Sequence, residues 1–116
     1  MKSYLTVKLA QLHHEVFSVV WVDAQNRIIA YEEMFRGTLS HTSVYPREVV
    51  LGALTNHAAG CLLVHNHPSG KPDPSEADKL ITRQLKQALE LIDVRVLDHI
   101  IVAGVSTFSF AEHGLI

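Results

Sequence analysis

The sequence has few of the features that mark secreted or membrane-spanning proteins. A single cysteine, Cys61, excludes a disulfide within the chain and is typical of a reducing compartment. No apolar run approaches the roughly 18 residues that a membrane-spanning helix needs. Residues 1–12 also lack the continuous apolar core of a signal peptide. We therefore expect a soluble cytoplasmic protein with no membrane partner.

An excess of positive charge is also absent. Lysine and arginine number 10 against 12 aspartates and glutamates, which gives a formal net charge of −2 at pH 7. A nucleic-acid-binding module usually has a basic excess or a basic stripe. The charge balance therefore disfavours nucleic-acid binding by this domain alone, without excluding a basic face.

The length and composition predict one packed domain. The 116 residues are 47% hydrophobic, which is ample for a core, and they contain no internal repeat. Short apolar or β-branched runs predict strands, and apolar residues at helical spacing predict helices. The order β-β-α-β-α-β-β predicts an α/β layered domain with a mixed sheet and helices packed on it. The predicted strands are 16–22, 27–36, 61–64, one or two strands within 94–105, and 107–110, and the predicted helices begin at Pro46 and Pro74.

The second predicted helix carries two further expectations. Asp73 fits the N-cap and Glu76 the third helical position, a pair that would form a capping box. Apolar residues at three- and four-residue spacing then predict the face that covers the sheet. These residues are Ala77, Ile81, Leu85, Ala88 and Ile92.

Two histidines and an aspartate form a candidate metal site. His65 and His67 follow the predicted central strand, and residues i and i+2 of an extended chain point to the same face. A loop with Pro68 then leads to the second helix, whose side chains lean back toward its N-terminus and so bring Asp78 toward the histidines. Two imidazoles and one carboxylate leave a position open for water, as in catalytic zinc sites. Zn²⁺ suits these donors best, and Mn²⁺ or Fe²⁺ also fit.

A hydrolase with such a site needs a base that takes a proton from water. Glutamates at positions 15, 32, 33 and 48 are candidates. Glu15 directly precedes the first buried strand, whereas Glu32 and Glu33 are neighbours in the hairpin and Glu48 is in the first turn of a helix. The pattern alone does not choose between Glu15 and Glu32. His99 precedes a buried run and fits either a hydrogen-bonded core group or a group that supports a metal ligand.

The segment resembles the signature of JAMM metalloproteases, also called JAB or MPN+ proteins. That signature is His-Ser/Thr-His, seven residues, Ser, two residues and Asp, with a glutamate well upstream. The same spacing occurs in this sequence, in His65-Asn66-His67, residues 68–74 and Ser75-Glu76-Ala77-Asp78. The sequence is similar in more detail to the RadC branch of this family. The similarity rests on the motif His-Asn-His-Pro-Ser-Gly, on Tyr45-Pro46-Arg47-Glu48-Val49 before it and on Val96-Leu97-Asp98-His99 after it. The similarity extends from about Glu15 to Ile116.

This resemblance implies a single JAB/MPN-like domain of the cytidine-deaminase-like type over residues 1–116, with zinc on His65, His67 and Asp78. It also implies that Glu15 is the base and that Glu32 is the runner-up. Ser75 matches the serine that hydrogen-bonds the reacting oxygen. We interpret residues 1–12 as a candidate leading segment of a longer natural chain.

Two departures from the family pattern limit what the resemblance implies. Asn66 replaces the Ser or Thr between the histidines, as is common in the RadC branch, which weakens the inference of peptidase specificity. The 116 residues also lack the helical DNA-binding-like segment that often precedes this domain in longer RadC proteins. A role in DNA repair is therefore a weaker expectation than hydrolysis.

The leading hypothesis is zinc-dependent hydrolysis of a peptide or isopeptide substrate. A non-enzymatic, metal-stabilised module in DNA-repair or mobile-element complexes would keep the three ligands but not depend on Glu15. A metal-dependent nuclease would need basic residues near the ion, and Lys71 is the one candidate in the loop. An iron oxygenase would need a co-substrate pocket. An exposed hairpin edge is also a candidate pairing site for a second copy in a homo-oligomer.

Overall fold

The computed structural model describes residues 14–37 and 44–116, which form one five-stranded sheet and two helices. This confirms the predicted α/β domain with a mixed sheet, and one continuous strand occupies most of 94–105. The proposed leading segment 1–12 lies outside the described residues. No helix in the described part of the chain is long and apolar enough to cross a membrane. The elements are β1 (Val16–Val22), β2 (Ile28–Arg36), α1 (Pro46–Thr55), β3 (Gly60–Asn66), α2 (Glu76–Glu90), β4 (Arg95–Ala103) and β5 (Ser106–Ser109), followed by a short 3-10 helix (Ala111–His113).

The strand order places the most apolar strands in the middle of the sheet. The order is β2-β1-β3-β4-β5, in which β3 and β4 are parallel and the other neighbours are antiparallel. The helix α2 connects the two parallel strands, as a parallel pair requires. Every residue of β1 is buried, and β3 has one half-buried residue, Leu62. The end of β3 therefore lies between two hydrogen-bonded neighbours, which is a rigid place for a functional group.

The two faces of the sheet have different partners. Phe17, Val19 and Trp21 alternate along β1 and form one buried cluster with residues of both helices, including Val49 and Leu85. The side chains between them belong to the opposite face, where Val20, Val22 and Val64 share a second cluster. Because side chains alternate along a strand, His65 of β3 belongs to the helix-bearing face, where its ring contacts Phe17.

The helix α2 begins two residues later than predicted. Its N-cap is Ser75, whose Oγ accepts a hydrogen bond from the Asp78 N–H at 3.0 Å, and the Ser75 N–H donates to Asp78 Oδ2 at 2.9 Å. The predicted capping box of Asp73 and Glu76 is therefore wrong. Both pairs have the same spacing in the sequence, but only the observed pair also brings Asp78 against the histidines.

The buried face of α2 is also shifted relative to the apolar stripe. Asp78, Thr82, Leu85 and Leu89 are buried, whereas Ala77 is exposed and the other predicted residues except Leu85 are half-buried. Two of the four buried residues are polar, so a search for apolar periodicity could not identify this face. Their side chains tolerate burial because both are hydrogen-bonded within the site described below.

The helix α1 approaches the sheet closely through a glycine. Pro46 occupies its first turn, where a missing N–H costs little. Gly52 is buried, and a Cβ placed on it would lie 2.8 Å from Cζ2 of Trp21. The Trp21 indole N–H is bonded to Glu32 Oε1 at 2.9 Å, so this ring is not free to turn away.

The substitution Gly52→Ala should lower the free energy of unfolding by about 1–3 kcal/mol, because the added methyl overpacks against Trp21. At an unobstructed helix position the same change would stabilise the protein by about 0.5–1 kcal/mol. Urea denaturation measures the difference. Leu51→Ala is the control, since Leu51 is 58% exposed and its loss should change stability by less than about 0.5 kcal/mol. A more stable Gly52→Ala variant would contradict the close approach.

Candidate metal centre

The end of β3 holds both histidines on one face of the sheet. His65 is in the strand and His67 lies one residue beyond its end. The His67 N–H donates to the Val102 carbonyl at 2.8 Å, which continues the contact with β4 past the last residue of β3. The two imidazole rings have centroids 4.9 Å apart and are nearly perpendicular. The predicted convergence of the histidines is therefore present.

A short constrained loop connects the histidines to α2. The Gly70 N–H donates to the His67 carbonyl at 3.1 Å, and Gly70 has a φ of +83°, a conformation that glycine adopts without strain. Pro72 and Pro74 fix two further φ angles before the N-cap Ser75. The loop therefore has few conformations available, which fixes where the first turn of α2 stands relative to β3.

Asp78 faces both histidines. Its Oδ1 lies 3.3 Å from His65 Nδ1, and its Oδ2 lies 3.1 Å from His67 Nε2. One ligand atom from each of the three residues lies within 4.8 Å of the others. His65 and Asp78 are buried and His67 is half-buried. The three predicted ligands thus lie close enough to bind one metal ion.

The hydrogen bonds of His67 fit a metal ligand. Its Nδ1 lies 2.9 Å from the Lys71 carbonyl oxygen, and because a carbonyl only accepts, Nδ1 carries a proton. In the neutral imidazole, Nε2 therefore presents a lone pair to the Asp78 carboxylate, which is also an acceptor. Two acceptors in contact need a cation between them, either a proton or a metal ion. A backbone carbonyl that fixes the tautomer in this way is a common support for metal-binding histidines.

His65, like His67, needs a cation between its ring and the neighbouring carboxylates. Both of its ring nitrogens are buried, and among the described residues neither has a partner with hydrogen-bond geometry. They lie instead at ion-pair distances from two carboxylates, Asp78 Oδ1 and, at 3.6 Å, Glu15 Oε2. A donor set of two imidazoles and one carboxylate is suited to zinc and to related divalent ions.

The pKa values of the site show how strongly it attracts positive charge. Burial alone would lower the pKa of His65, but the carboxylates of Asp78 and Glu15 outweigh burial and raise it to about 9. The contact with Asp78 raises the pKa of His67 as well. Burial would raise the pKa of Asp78, but the two imidazoles and the Ser75 N–H hold it well below its ordinary value. Without a metal ion, His65 therefore holds a proton at neutral pH.

Among the four candidate glutamates, the described structure brings Glu15 to the site. Glu32 accepts hydrogen bonds from Trp21 and Asn56 near the opposite end of β1. Glu33 is exposed and paired with Arg36, and Glu48 is exposed in the first turn of α1. Of the two glutamates between which the sequence did not choose, Glu15 lies beside His65 and Glu32 lies away from the candidate site.

A cleft of about 500 Å³ opens at the site. The three candidate ligands line it together with Glu15 and Ser75, and apolar residues extend the lining along α2 and the loop before α1. The described lining includes no lysine or arginine. The apolar residues are Phe17, Val44, Pro68, Ala77, Leu80 and Ile81. The cleft is within the usual size range for small-molecule or peptide side-chain sites.

Thr82 and His99 are buried polar residues that connect Asp78 to β4, and the sequence analysis did not predict this connection. Thr82 Oγ1 donates to the Asp78 carbonyl at 2.7 Å and lies 2.6 Å from His99 Nδ1. Since the hydroxyl proton is used on Asp78, the His99 Nδ1–H donates to Thr82. Burial lowers the pKa of His99 to about 3, so its ring is neutral, and it stacks on Phe110 with centroids 4.4 Å apart. The sequence did contain one signal for this contact, because residues four apart on a helix, such as Asp78 and Thr82, are neighbours on one face.

Comparisons with known proteins agree with this geometry. The family model described as a RadC-like JAB domain matches residues 1–115. Proteins named UPF0758 are similar over nearly the full chain. The relative from Janthinobacterium sp. (strain Marseille) is 59% identical over 114 residues, which are 98% of this chain and 51% of the relative. The relative from Paracidovorax citrulli (strain AAC00-1) is 62% identical over 116 residues, which are 100% of this chain and 49% of the relative. The chain therefore spans about half the length of these curated relatives.

Metal affinity should rise with pH from about 6 to 9, because His65 has a pKa near 9 and must lose its proton to become a ligand. Each proton released on binding adds about a tenfold rise in metal affinity per pH unit. Zinc titration by calorimetry at pH 7, in two buffers of different ionisation enthalpy, should detect release of about one proton or more per ion. The exposed His57 offers the control His57→Ala, which should behave like the unaltered protein. An affinity independent of pH would contradict the proposed ligand set.

Proposed function

This chain belongs to the family of RadC-like JAB domains, and from that premise we propose that it is a zinc-dependent hydrolase of amide bonds. The substrate would be a peptide or an isopeptide. The observation that supports this most directly is the convergence of two histidines and one aspartate at a cleft that also holds a glutamate and a serine. When bound, zinc supplies an acidified water and a Lewis acid for the scissile carbonyl oxygen.

Glu15 is the proposed general base. Its Oε2 lies 3.6 Å from His65 Nε2, and Glu15 lines the same cleft as His67 and Asp78. From there the carboxylate can take a proton from the attacking water and pass it to the leaving amine. The position beside a ligand, within the cleft, supports Glu15 over Glu32, which is bonded to Trp21.

Ser75 is the proposed donor to the oxyanion. Its Oγ accepts from the Asp78 N–H, so the hydroxyl proton remains available to donate into the cleft. A donor aimed at the developing negative charge stabilises the transition state more than the ground state. The same hydroxyl oxygen caps α2, so the helix holds the donor in place.

The cleft favours an amide over a phosphodiester substrate. Phosphodiester chemistry usually draws on Lys or Arg near the ion, and the described lining includes neither. Lys71 contacts the site through its backbone carbonyl, which accepts from His67 Nδ1, and the residue is exposed. Apolar residues such as Leu80 and Ile81 can contact side chains of a peptide beside the scissile bond. The proposed location is the cytoplasm, consistent with one free, buried cysteine.

Glu15→Gln should lower kcat by about 100- to 10,000-fold, because the amide cannot accept the proton from water. Zinc affinity should persist, since the three ligands are unchanged. Release of amine from peptide and isopeptide libraries, together with zinc titration, measures both quantities.

Two matched variants make this result interpretable. Glu32→Gln removes a carboxylate from β2 and weakens the contacts with Trp21 and Asn56, so it should lower stability while the folded protein keeps its turnover. Asp78→Asn should reduce zinc affinity and turnover together. Unchanged hydrolysis by Glu15→Gln would refute the assigned base. If neither form hydrolysed any amide while both bound zinc, the non-enzymatic metal-stabilised module would be the better description.

Ser75→Ala should have two separable effects. Loss of the cap should reduce the free energy of unfolding by about 1 kcal/mol, and loss of the oxyanion donor should reduce kcat by about 100- to 1,000-fold. Ser75→Thr retains an oxygen and a proton at the same position and should recover most of both. Denaturation and steady-state kinetics of the two variants give the comparison. A Ser75→Ala variant that is less stable yet has full turnover would show that Ser75 is only a helix cap.

A further inference from the structure

Asn66 lies between the two histidines but points to the opposite face of the sheet. It is the last residue of β3 and is 2% exposed. Its Oδ1 accepts a hydrogen bond from the Val16 N–H at 2.6 Å, and its Nδ2 donates to the His14 carbonyl at 2.9 Å. The partners dictate the orientation of the amide, because an N–H requires an oxygen and a carbonyl requires an N–H. Asn66 thus contacts the backbone on both sides of Glu15.

These two bonds occur where the strands separate. The backbone pairing of β1 with β3 runs from Val22 to Phe17, which is opposite His65, and goes no further. Val16, the next residue, uses its N–H on the Asn66 side chain instead of on the backbone of β3. The side-chain amide therefore extends the connection between the two strands by one residue, up to the position of Glu15.

The peptide groups on both sides of Glu15 are held. The unit between Glu15 and Val16 is bonded at its N–H by Asn66 and at its carbonyl by the Gly37 N–H at 3.0 Å. The unit between His14 and Glu15 is bonded at its carbonyl by Asn66. Fixing the two planes that flank a residue fixes its φ and ψ, and hence the direction of its Cα–Cβ bond. Strand alternation then directs Glu15 to the face that carries Phe17 and His65.

We propose that Asn66 is a positioning residue that holds Glu15 at the metal centre by bonding the backbone on either side of it. The assignment of Glu15 as base rests on the proposed function, but its placement by Asn66 does not. The strand β3 thereby positions both a candidate metal ligand and the proposed base. The helix-bearing face of β3 carries His65, and the other face carries the amide that fixes the glutamate. Because a misplacement of about 1 Å can cost about 100-fold in rate, this fixation matters for turnover.

The test replaces Asn66 by Ser in the full chain, since a hydroxyl is shorter and cannot bond both peptide groups. We expect three results. Hydrogen exchange of the Val16 amide becomes faster than in the unaltered protein. The affinity for Zn²⁺ stays unchanged because the ligands are untouched. In the hydrolysis assay, kcat falls by about 10- to 100-fold with KM unchanged, the size usual for residues that orient groups at metal sites.

A readout independent of turnover follows Glu15 directly. With ¹³C-labelled glutamate and Co²⁺ as the probe, the paramagnetic shift of the Glu15 carboxyl carbon depends steeply on its distance from the ion. That shift should become smaller in Asn66→Ser. Should Asn66→Ser fail to fold, Asn66→Asp keeps the acceptor for Val16 but loses the donor to His14, and it should show a smaller change in the same direction.

Ser18→Ala is the matched control. Ser18 is a buried polar residue of β1 on the same sheet face as Asn66, and it accepts a hydrogen bond from the Tyr31 hydroxyl at 3.0 Å. Its loss should reduce stability without altering the Co²⁺ shift or kcat. Faster Val16 exchange with an unchanged Co²⁺ shift would overturn the positioning role, as would a parallel loss of zinc affinity. If no form hydrolysed an amide, the proposed function would fail, and the Co²⁺ shift would still decide the role of Asn66.

Discussion

The candidate site depends on holding hydrogen-bond acceptors in contact with one another. The Asp78 carboxylate faces His65 and His67, and His65 is also close to Glu15. In a partly buried place such a group of acceptors is unfavourable unless positive charge is present, because the protein screens charge less than water does. The raised pKa of His65 and the lowered pKa of Asp78 are two results of this one constraint. A divalent ion satisfies the same requirement, so the geometry and the chemistry of the site have a common origin.

The rest of the fold resists the separation of these groups. The strand β3 is hydrogen-bonded on both sides and cannot shift without disrupting the sheet. The loop after it is limited by prolines and by the turn at Gly70, and the capping box fixes the first turn of α2. Behind that turn, Thr82 and His99 connect the Asp78 backbone to β4. A central strand and a helix start are rigid supports, which is what a site of defined geometry requires.

The sequence was most informative where local chemistry decides structure. Apolar and β-branched runs predicted the strands, and the spacing of His65, His67 and Asp78 predicted their convergence. It was less informative where a polar residue is buried by its hydrogen bonds. Thr82 is typical of a solvent-facing residue in a search for apolar periodicity, yet it is buried beside His99. The N-cap was predicted at Asp73 but lies at Ser75, where the capping partner Asp78 also faces the histidines of β3. No local pattern contains that contact. The position of Glu15 beside the histidines, and of Glu32 away from them, likewise depends on which end of β1 lies next to the end of β3.

One carboxylate has two tasks that cannot be separated. Asp78 accepts the Ser75 N–H as part of the helix cap, and it also faces the two imidazoles. Fraying of the first turn of α2, a common low-energy motion at helix ends, would therefore withdraw a ligand. The domain cannot widen its cleft by unwinding that turn and remain competent. Under the proposed function, a substrate would therefore enter the existing cleft across its exposed edge at Leu80 and bind without a closing motion of the first turn of α2.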